Sequence, residues 1–163
     1  MILKTHRLSQ IFMPLGAHRE LGVFKAYMFN TGILVGQFPD SELYDFLENA
    51  LGMYKGMLYE NVFAQIFAEK GITNYYYEPN TSSEIDFVIQ TKYGITPIEI
   101  KGGLHTRSTI FDNFIKNHNS KLAIRFSKKN ISQNEDGHLP LTTVQYPQFL
   151  PLPSGILRVS SLQ

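Results

Sequence analysis

Leu58, Tyr59, Val62, Phe63, Ile66 and Phe67 recur at three- and four-residue intervals between Gly56 and Lys70. That spacing lays one apolar stripe along a helix, and Gly71 is placed to end it. The spacing predicts a helix over 56–70. At about 100° per residue, Glu60 falls on the border of the stripe, near Phe63 and Phe67. The period then changes. From Glu84 to Gln90, Ile85, Phe87 and Ile89 alternate with Glu84, Asp86 and Val88. From Ile95 to Lys101, Ile98 and Ile100 alternate with Pro97, Glu99 and Lys101. Alternation of this kind predicts strands with one face toward a core. The tyrosine-rich run Asn74–Glu78 and the apolar run Leu122–Phe126 predict two more, and Leu141–Tyr146 a last one. Pro97 argues against a fully paired position, or sits on the side where no ladder bond is needed. Ile110, Phe111, Phe114 and Ile115 predict a second helix over 108–118, capped by Thr106 or Ser108. The order from residue 56 is therefore α-β-β-β-α-β.

Upstream the pattern is weaker. Val23–Phe29 is β-prone. Asn30-Thr-Gly32 turns the chain or caps a short helix beginning near Thr31. Leu43, Phe46, Leu47 and Ala50 predict a helix over 42–50, with Ser41 as its cap. Pro14-Leu-Gly16 reads as a turn. Residues 1–39 look peripheral. The expected division is an N-terminal extension over 1–50 and an α/β domain over 51–163.

Composition narrows the class. A chain of 163 residues with 43% apolar and 13% aromatic content has enough material for one globular domain with a sizeable core. The absence of cysteine excludes disulfides, zinc–cysteine clusters and a thiol nucleophile. The N-terminus lacks the apolar run of a secretory signal. No stretch reaches the ~18 apolar residues of a membrane span. The expectation is a cytoplasmic protein with no membrane partner. Net charge is only +1, but its distribution is uneven. Residues 56–104 carry three Lys/Arg against six Asp/Glu, and residues 105–163 carry seven against three. An acidic middle followed by a basic end suits a metal site flanked by phosphate contacts, or simply a varied surface.

The candidate chemistry lies in the acidic middle. Asp86 and Glu99 fall on strands that follow one another in sequence, and such strands usually pair. Glu99 and Lys101 are two residues apart, hence on one face. Two carboxylates on neighbouring strands, with the Ile100 carbonyl, could hold a hard divalent cation such as Mg²⁺ or Mn²⁺. Glu60 could contribute a further carboxylate. Lys101 could then orient water or offset charge on a phosphodiester.

Helix Glu, strand Asp and Glu-x-Lys in this order resemble the PD-(D/E)XK nuclease-like superfamily. More closely, Phe24-Lys-Ala-Tyr-Met-Phe-Asn-Thr-Gly-Ile-Leu34, Gly56-Met-Leu-Tyr-Glu-Asn-Val62, Glu84-Ile-Asp-Phe87 and Pro97-Ile-Glu-Ile-Lys101 resemble a domain of unknown function. That domain is found at the C-terminus of a prokaryotic AAA-type ATPase family. The resemblance runs from about Pro14 to the Leu-Pro-Leu tail. Asn30 stands where that family usually has Asp. The resemblance implies a restriction-endonuclease-like core, an α-β-β-β-α-β mixed sheet flanked by helices. It implies Asp86, Glu99, Lys101 and Glu60 as catalytic residues, with Asp86, Glu99 and Glu60 as Mg²⁺ or Mn²⁺ ligands. It implies nucleic acid as a partner, DNA before RNA, and an AAA-type ATPase domain as another. No Gly-x-x-x-x-Gly-Lys-Ser/Thr occurs, so the chain reads as lacking the ATPase half and ATP hydrolysis. Two functions remain open. One is metal-dependent phosphodiester hydrolysis. The other is a catalytically inactive nuclease-fold module that binds nucleic acid or protein and regulates an ATPase.

Other residues carry less. His6, His18, His105, His118 and His138 are scattered, and His105 could reach a phosphate. Tyr75-Tyr-Tyr77 could stack bases, or pack a core with the middle ring outward. Arg107, Lys116, Lys121, Arg125, Lys128 and Lys129 could track a phosphate backbone or form a solvated face.

Overall fold

The alternating segments pair into one mixed sheet in a computed structural model, which describes residues 1–39, 52–81, 83–101, 108–127, 132–133 and 141–145. The elements are β1 (Ile2–Leu8), a 3₁₀ turn (Leu15–His18), β2 (Arg19–Met28), α1 (Thr31–Val35), α2 (Gly52–Glu69), β3 (Asn74–Asn80), β4 (Ser83–Thr91), β5 (Gly94–Ile100), α3 (Thr109–Asn117), β6 (Ala123–Ser127), β7 (Ser132–Gln133) and β8 (Leu141–Gln145). Strand order across the sheet is β2-β1-β3-β4-β5-β6-β8-β7. The meander β3-β4-β5 is antiparallel. β6 runs parallel to β5, and α3 makes the crossover between them. The fold is thus mixed α/β, and the order α-β-β-β-α-β from α2 to β6 is the one the periodicity predicts.

α2 and α3 each bury one sheet face. α2 lays Phe63, Ala64 and Phe67 on Phe87, Ile89, Ile98, Ile100, Ile124 and Phe126. α3 lays Phe111, Phe114 and Ile115 on Tyr75, Ile85, Val88 and Ala123. Ser108 caps α3 by accepting from the Phe111 N–H at 3.4 Å. Gly71 ends α2 at φ +65°, a left-handed conformation that favours glycine. Pro97 faces Val88 in the β4–β5 ladder, and the ladder to β6 begins only at Ile98. It is therefore central in the sheet yet precedes the bonds its missing N–H would owe.

The N-terminal residues are not peripheral. β1 pairs with β2 antiparallel and with β3 parallel, at His6↔Tyr75 and Arg7↔Tyr76. Leu8, Ile11 and Leu15 enter the core on the α3 face. Asn30 caps α1 by accepting from the Ile33 N–H at 3.2 Å. Asn61 of α2, buried, accepts from the Met28 N–H at 2.7 Å and donates to the Met28 carbonyl at 3.0 Å. It fastens the end of β2 to α2. The helix expected over 42–50 lies outside the described residues.

β4 departs from strict alternation. Tyr75 pairs with Val88 and Tyr77 with Ile85, so three residues of β3 span four of β4. Asp86 and Phe87 together face Tyr76, a bulge that turns neighbouring side chains to one face. Ile85 and Val88 pack toward α3, whereas Phe87 and Ile89 pack toward α2. Between Tyr77 and Asn80 the extra residue is on β3, at Glu78–Pro79.

Candidate functional site

The bulge delivers its acidic residue to the α2 face. Glu60 of α2, with Glu84 and Asp86 of β4, places three carboxylate oxygens within 4.8 Å of one another. Glu60 lies at the edge of the α2 apolar stripe, as its spacing predicts, and is half-buried. Asp86 Oδ2 accepts from the Ile100 N–H at 2.6 Å, which fixes the carboxylate against β5. Lys25 of β2 reaches in from the other side. Its ammonium donates to Glu60 at 3.1 Å and to Glu84, and lies 5.3 Å from the centre of the Tyr76 ring. The Tyr27 hydroxyl donates to the same Glu60 oxygen at 2.9 Å.

The electrostatics follow from crowding. Burial, then the charge of Glu60, pushes the Asp86 carboxyl from 3.8 up to about 7. The Ile100 N–H and Lys25 pull it the other way. Burial and Glu60 likewise hold the Tyr27 hydroxyl well above its ordinary value. Burial works against the Lys25 charge, but Glu60 and Glu84 outweigh it and raise its pKa. Three carboxylates with one ammonium leave an excess of negative charge. Such a set of oxygen donors suits a hard divalent cation.

Glu99 and Lys101 are elsewhere. Glu99 is 4% exposed and accepts from Arg125 Nε at 2.6 Å. Its second oxygen meets Lys101 Nζ at 3.0 Å. Arg125 also approaches Asp112 of α3 at 3.5 Å, with its guanidinium carbon 5.0 Å from the centre of the Phe111 ring. Glu99 therefore faces α3, while Asp86 faces α2. The four residues expected to share one site divide into Glu60 with Asp86 and Glu99 with Lys101. The bulge is the physical reason. Phe87 pairs with Ile98, so strict alternation would set Asp86 beside Glu99 on the α3 face. The extra residue swings Asp86 to the face of Phe87.

Sequence reasoning missed Glu84 and Lys25. Glu84 had a signal, since it stands two residues before Asp86 on the same strand face. Lys25 had none beyond its place in an aromatic strand, because its partners are 35 and 59 residues away. Arg125 cannot track a phosphate backbone, because it is 6% exposed and bound to Glu99. Lys116 and Lys121 are exposed, while Arg107, Lys128, Lys129, His105 and His138 lie outside the described residues. Tyr76 does not face outward. It is buried like Tyr75, with the Lys25 ammonium over its ring. His118 ends α3 and stacks 4.5 Å from the Phe114 ring.

Comparison with known proteins gives a family. The family described as a domain of unknown function, DUF4143, matches residues 55–154, well over half of the chain. The chain belongs to that family. The match covers α2, the meander, α3 and β6, and hence every carboxylate discussed above. No curated protein and no solved structure matches the chain. No helix among the described residues is long and apolar enough to cross a membrane.

Proposed function

We propose that this member of the DUF4143 family is a nuclease-fold module that binds nucleic acid without cutting it and serves an AAA-type ATPase. The antiparallel meander, the helical crossover to a parallel strand and one helix per face support a restriction-endonuclease-like core. The ATPase partner rests on the contexts in which the family is known. The observation that carries the non-cleaving reading is the bond from Arg125 to Glu99. It engages the glutamate of Glu-x-Lys on the α3 face, to which alternation along β5 directs it, while the bulge turns Asp86 to the α2 face. Nucleic acid should then bind with a steep salt dependence and remain intact in Mg²⁺ or Mn²⁺. Metal-dependent cleavage of any duplex or single strand, abolished by Asp86→Asn, would overturn this reading.

A second reading is favoured by the cluster itself. Glu60, Glu84 and Asp86 lie within 4.8 Å and would hold Mg²⁺ or Mn²⁺. A bound cation activates water and offsets phosphodiester charge. Lys25 occupies two of these carboxylates, Glu60 and Glu84, and competes with the ion. Mn²⁺ at ~100 times its Kd adds about 2.7 kcal/mol, which raises the melting temperature by about 5–11 °C at this chain length. The expected rise is larger in Lys25→Met and absent in Asp86→Asn. Equal rises in all three proteins would remove the ion from this cluster.

A further inference from the structure

A different part of the sheet is built for the opposite charge. The ladder between β1 and β3 covers only His6↔Tyr75 and Arg7↔Tyr76. Ahead of it β3 has only Asn74, while β1 runs back to Ile2, and Ala64 and Ala68 of α2 border the space beside β1. A cleft of about 260 Å³ results. Lys4, His6 and Arg19 line it, and no carboxylate does. Thr5 and Asn74 form its polar floor, joined by a 2.6 Å hydrogen bond. Lys4 and Arg19 are exposed, and among the described residues neither has an ion-pair partner. The C-terminal end of α2 also borders the cleft. Its negative pole is muted there, because the Gly71 and Ile72 N–H groups cap the Ala68 and Phe67 carbonyls at 3.1 and 2.8 Å. Beside the cleft stands Phe24, 40% exposed. The Lys4 ammonium lies 4.4 Å from the centre of its ring, and the His6 ring packs edge-on at 5.8 Å.

We propose that this cleft binds a nucleotide phosphate through Lys4, His6 and Arg19, with the attached base stacking on Phe24. Two cationic side chains and an imidazole around one opening match a phosphate, and nothing acidic in the lining opposes it. An exposed ring at the rim offers the π-face that any base can use. Lys4 already sits over that ring. Drawing its ammonium onto a phosphate frees the ring for the base. The inference deepens the nucleic-acid reading and rests on it. It locates binding on β1 and β2, away from the carboxylates of β4. The same chemistry is presented by a free mononucleotide and by a single strand.

The test uses the full chain with three probes: AMP and inorganic phosphate by calorimetry, and fluorescein-labelled oligothymidylate by anisotropy. Lys4→Ala/Arg19→Ala should weaken AMP roughly tenfold or more, the scale of lost charge-assisted hydrogen bonds. Phe24→Leu should weaken AMP several-fold and leave inorganic phosphate unchanged. All three sites are exposed, so unchanged melting temperatures would confirm intact folding. Oligothymidylate weakened in parallel with AMP identifies a strand as the source of the phosphate. AMP alone binding in a variant-sensitive way identifies a free nucleotide and retires the nucleic-acid reading. Strand binding that ignores Lys4→Ala/Arg19→Ala overturns the cleft and leaves that reading standing. If the wild-type chain binds neither AMP nor the strand, both fall together.

Discussion

Arg125→Met is expected to lower the melting temperature by about 6–20 °C. Arg125 and Glu99 are both nearly inaccessible, at 6% and 4% exposure. Removing one partner of a buried pair leaves the other charge without compensation, which costs about 3–5 kcal/mol. At this chain length each kcal/mol is worth about 2–4 °C. Lys101 stays within 3.0 Å of Glu99 but is partly exposed, so it offsets little of the loss. The double variant Glu99→Leu/Arg125→Met should recover most of the lost stability, since an apolar pair of similar volume often matches a buried ion pair. Thermal melts of the two single variants and the double variant check this. Additive losses would mean that the two side chains stabilise the fold independently.

The second large effect is a pH dependence. The Asp86 carboxyl titrates near 7 in the folded chain against an ordinary 3.8. Between those values the folded state holds a proton that the unfolded state has released. Stability from this group is therefore full below about pH 4 and is lost as pH rises toward and through 7. At about 1.4 kcal/mol per pH unit, the loss is at most about 4 kcal/mol. Asp86→Asn keeps an oxygen for the Ile100 N–H and removes the titration. The variant should thus be the more stable protein at pH 8, with a margin that shrinks toward pH 4. Denaturant melts of both proteins across that range measure the margin directly. A margin independent of pH would show that Asp86 titrates at its ordinary value.

How much of this was legible in the sequence depends on the range of each interaction. The two helices against the sheet were readable, because an apolar stripe such as Leu58 to Phe67 reports burial through local spacing alone. The caps at Asn30 and Ser108 were readable for the same reason. β1 was not. Ile2 to Leu8 mixes Lys4, Thr5, His6 and Arg7 among its apolar residues, and what makes it a strand is β2 and β3 on either side. In the candidate site, residue type and order pointed to Glu60 and Asp86, and the fold brings these two carboxylates together. Glu99 had the right type and order but the wrong face. Periodicity assumes one residue per step, and the extra residue at Asp86–Phe87 changes the sign of every facing before it. Arg125 illustrates a further limit. A lone basic residue in an apolar strand carries no mark that tells a phosphate contact from the buried partner of a glutamate.

The two irregularities of the β3–β4 hairpin behave like a frameshift followed by its suppressor. The extra residue of β4 puts the strands out of step, and the extra residue of β3 at Glu78–Pro79 brings them back before Asn80 meets Ser83. Only the stretch between them is read in the shifted frame, and that stretch holds both Glu84 and Asp86. The rest of the sheet is coded in a frame that does not depend on them. Deleting Asp86 together with Pro79 would therefore restore a single frame along the hairpin. A chain so shortened should keep the circular dichroism and cooperative melting of the parent, and the Mn²⁺-dependent rise in melting temperature proposed above should be absent from it. The convergence of Asp86 with Glu60 and Glu84 is in that sense a local phrase, set between two compensating irregularities that leave the register of the surrounding scaffold unchanged.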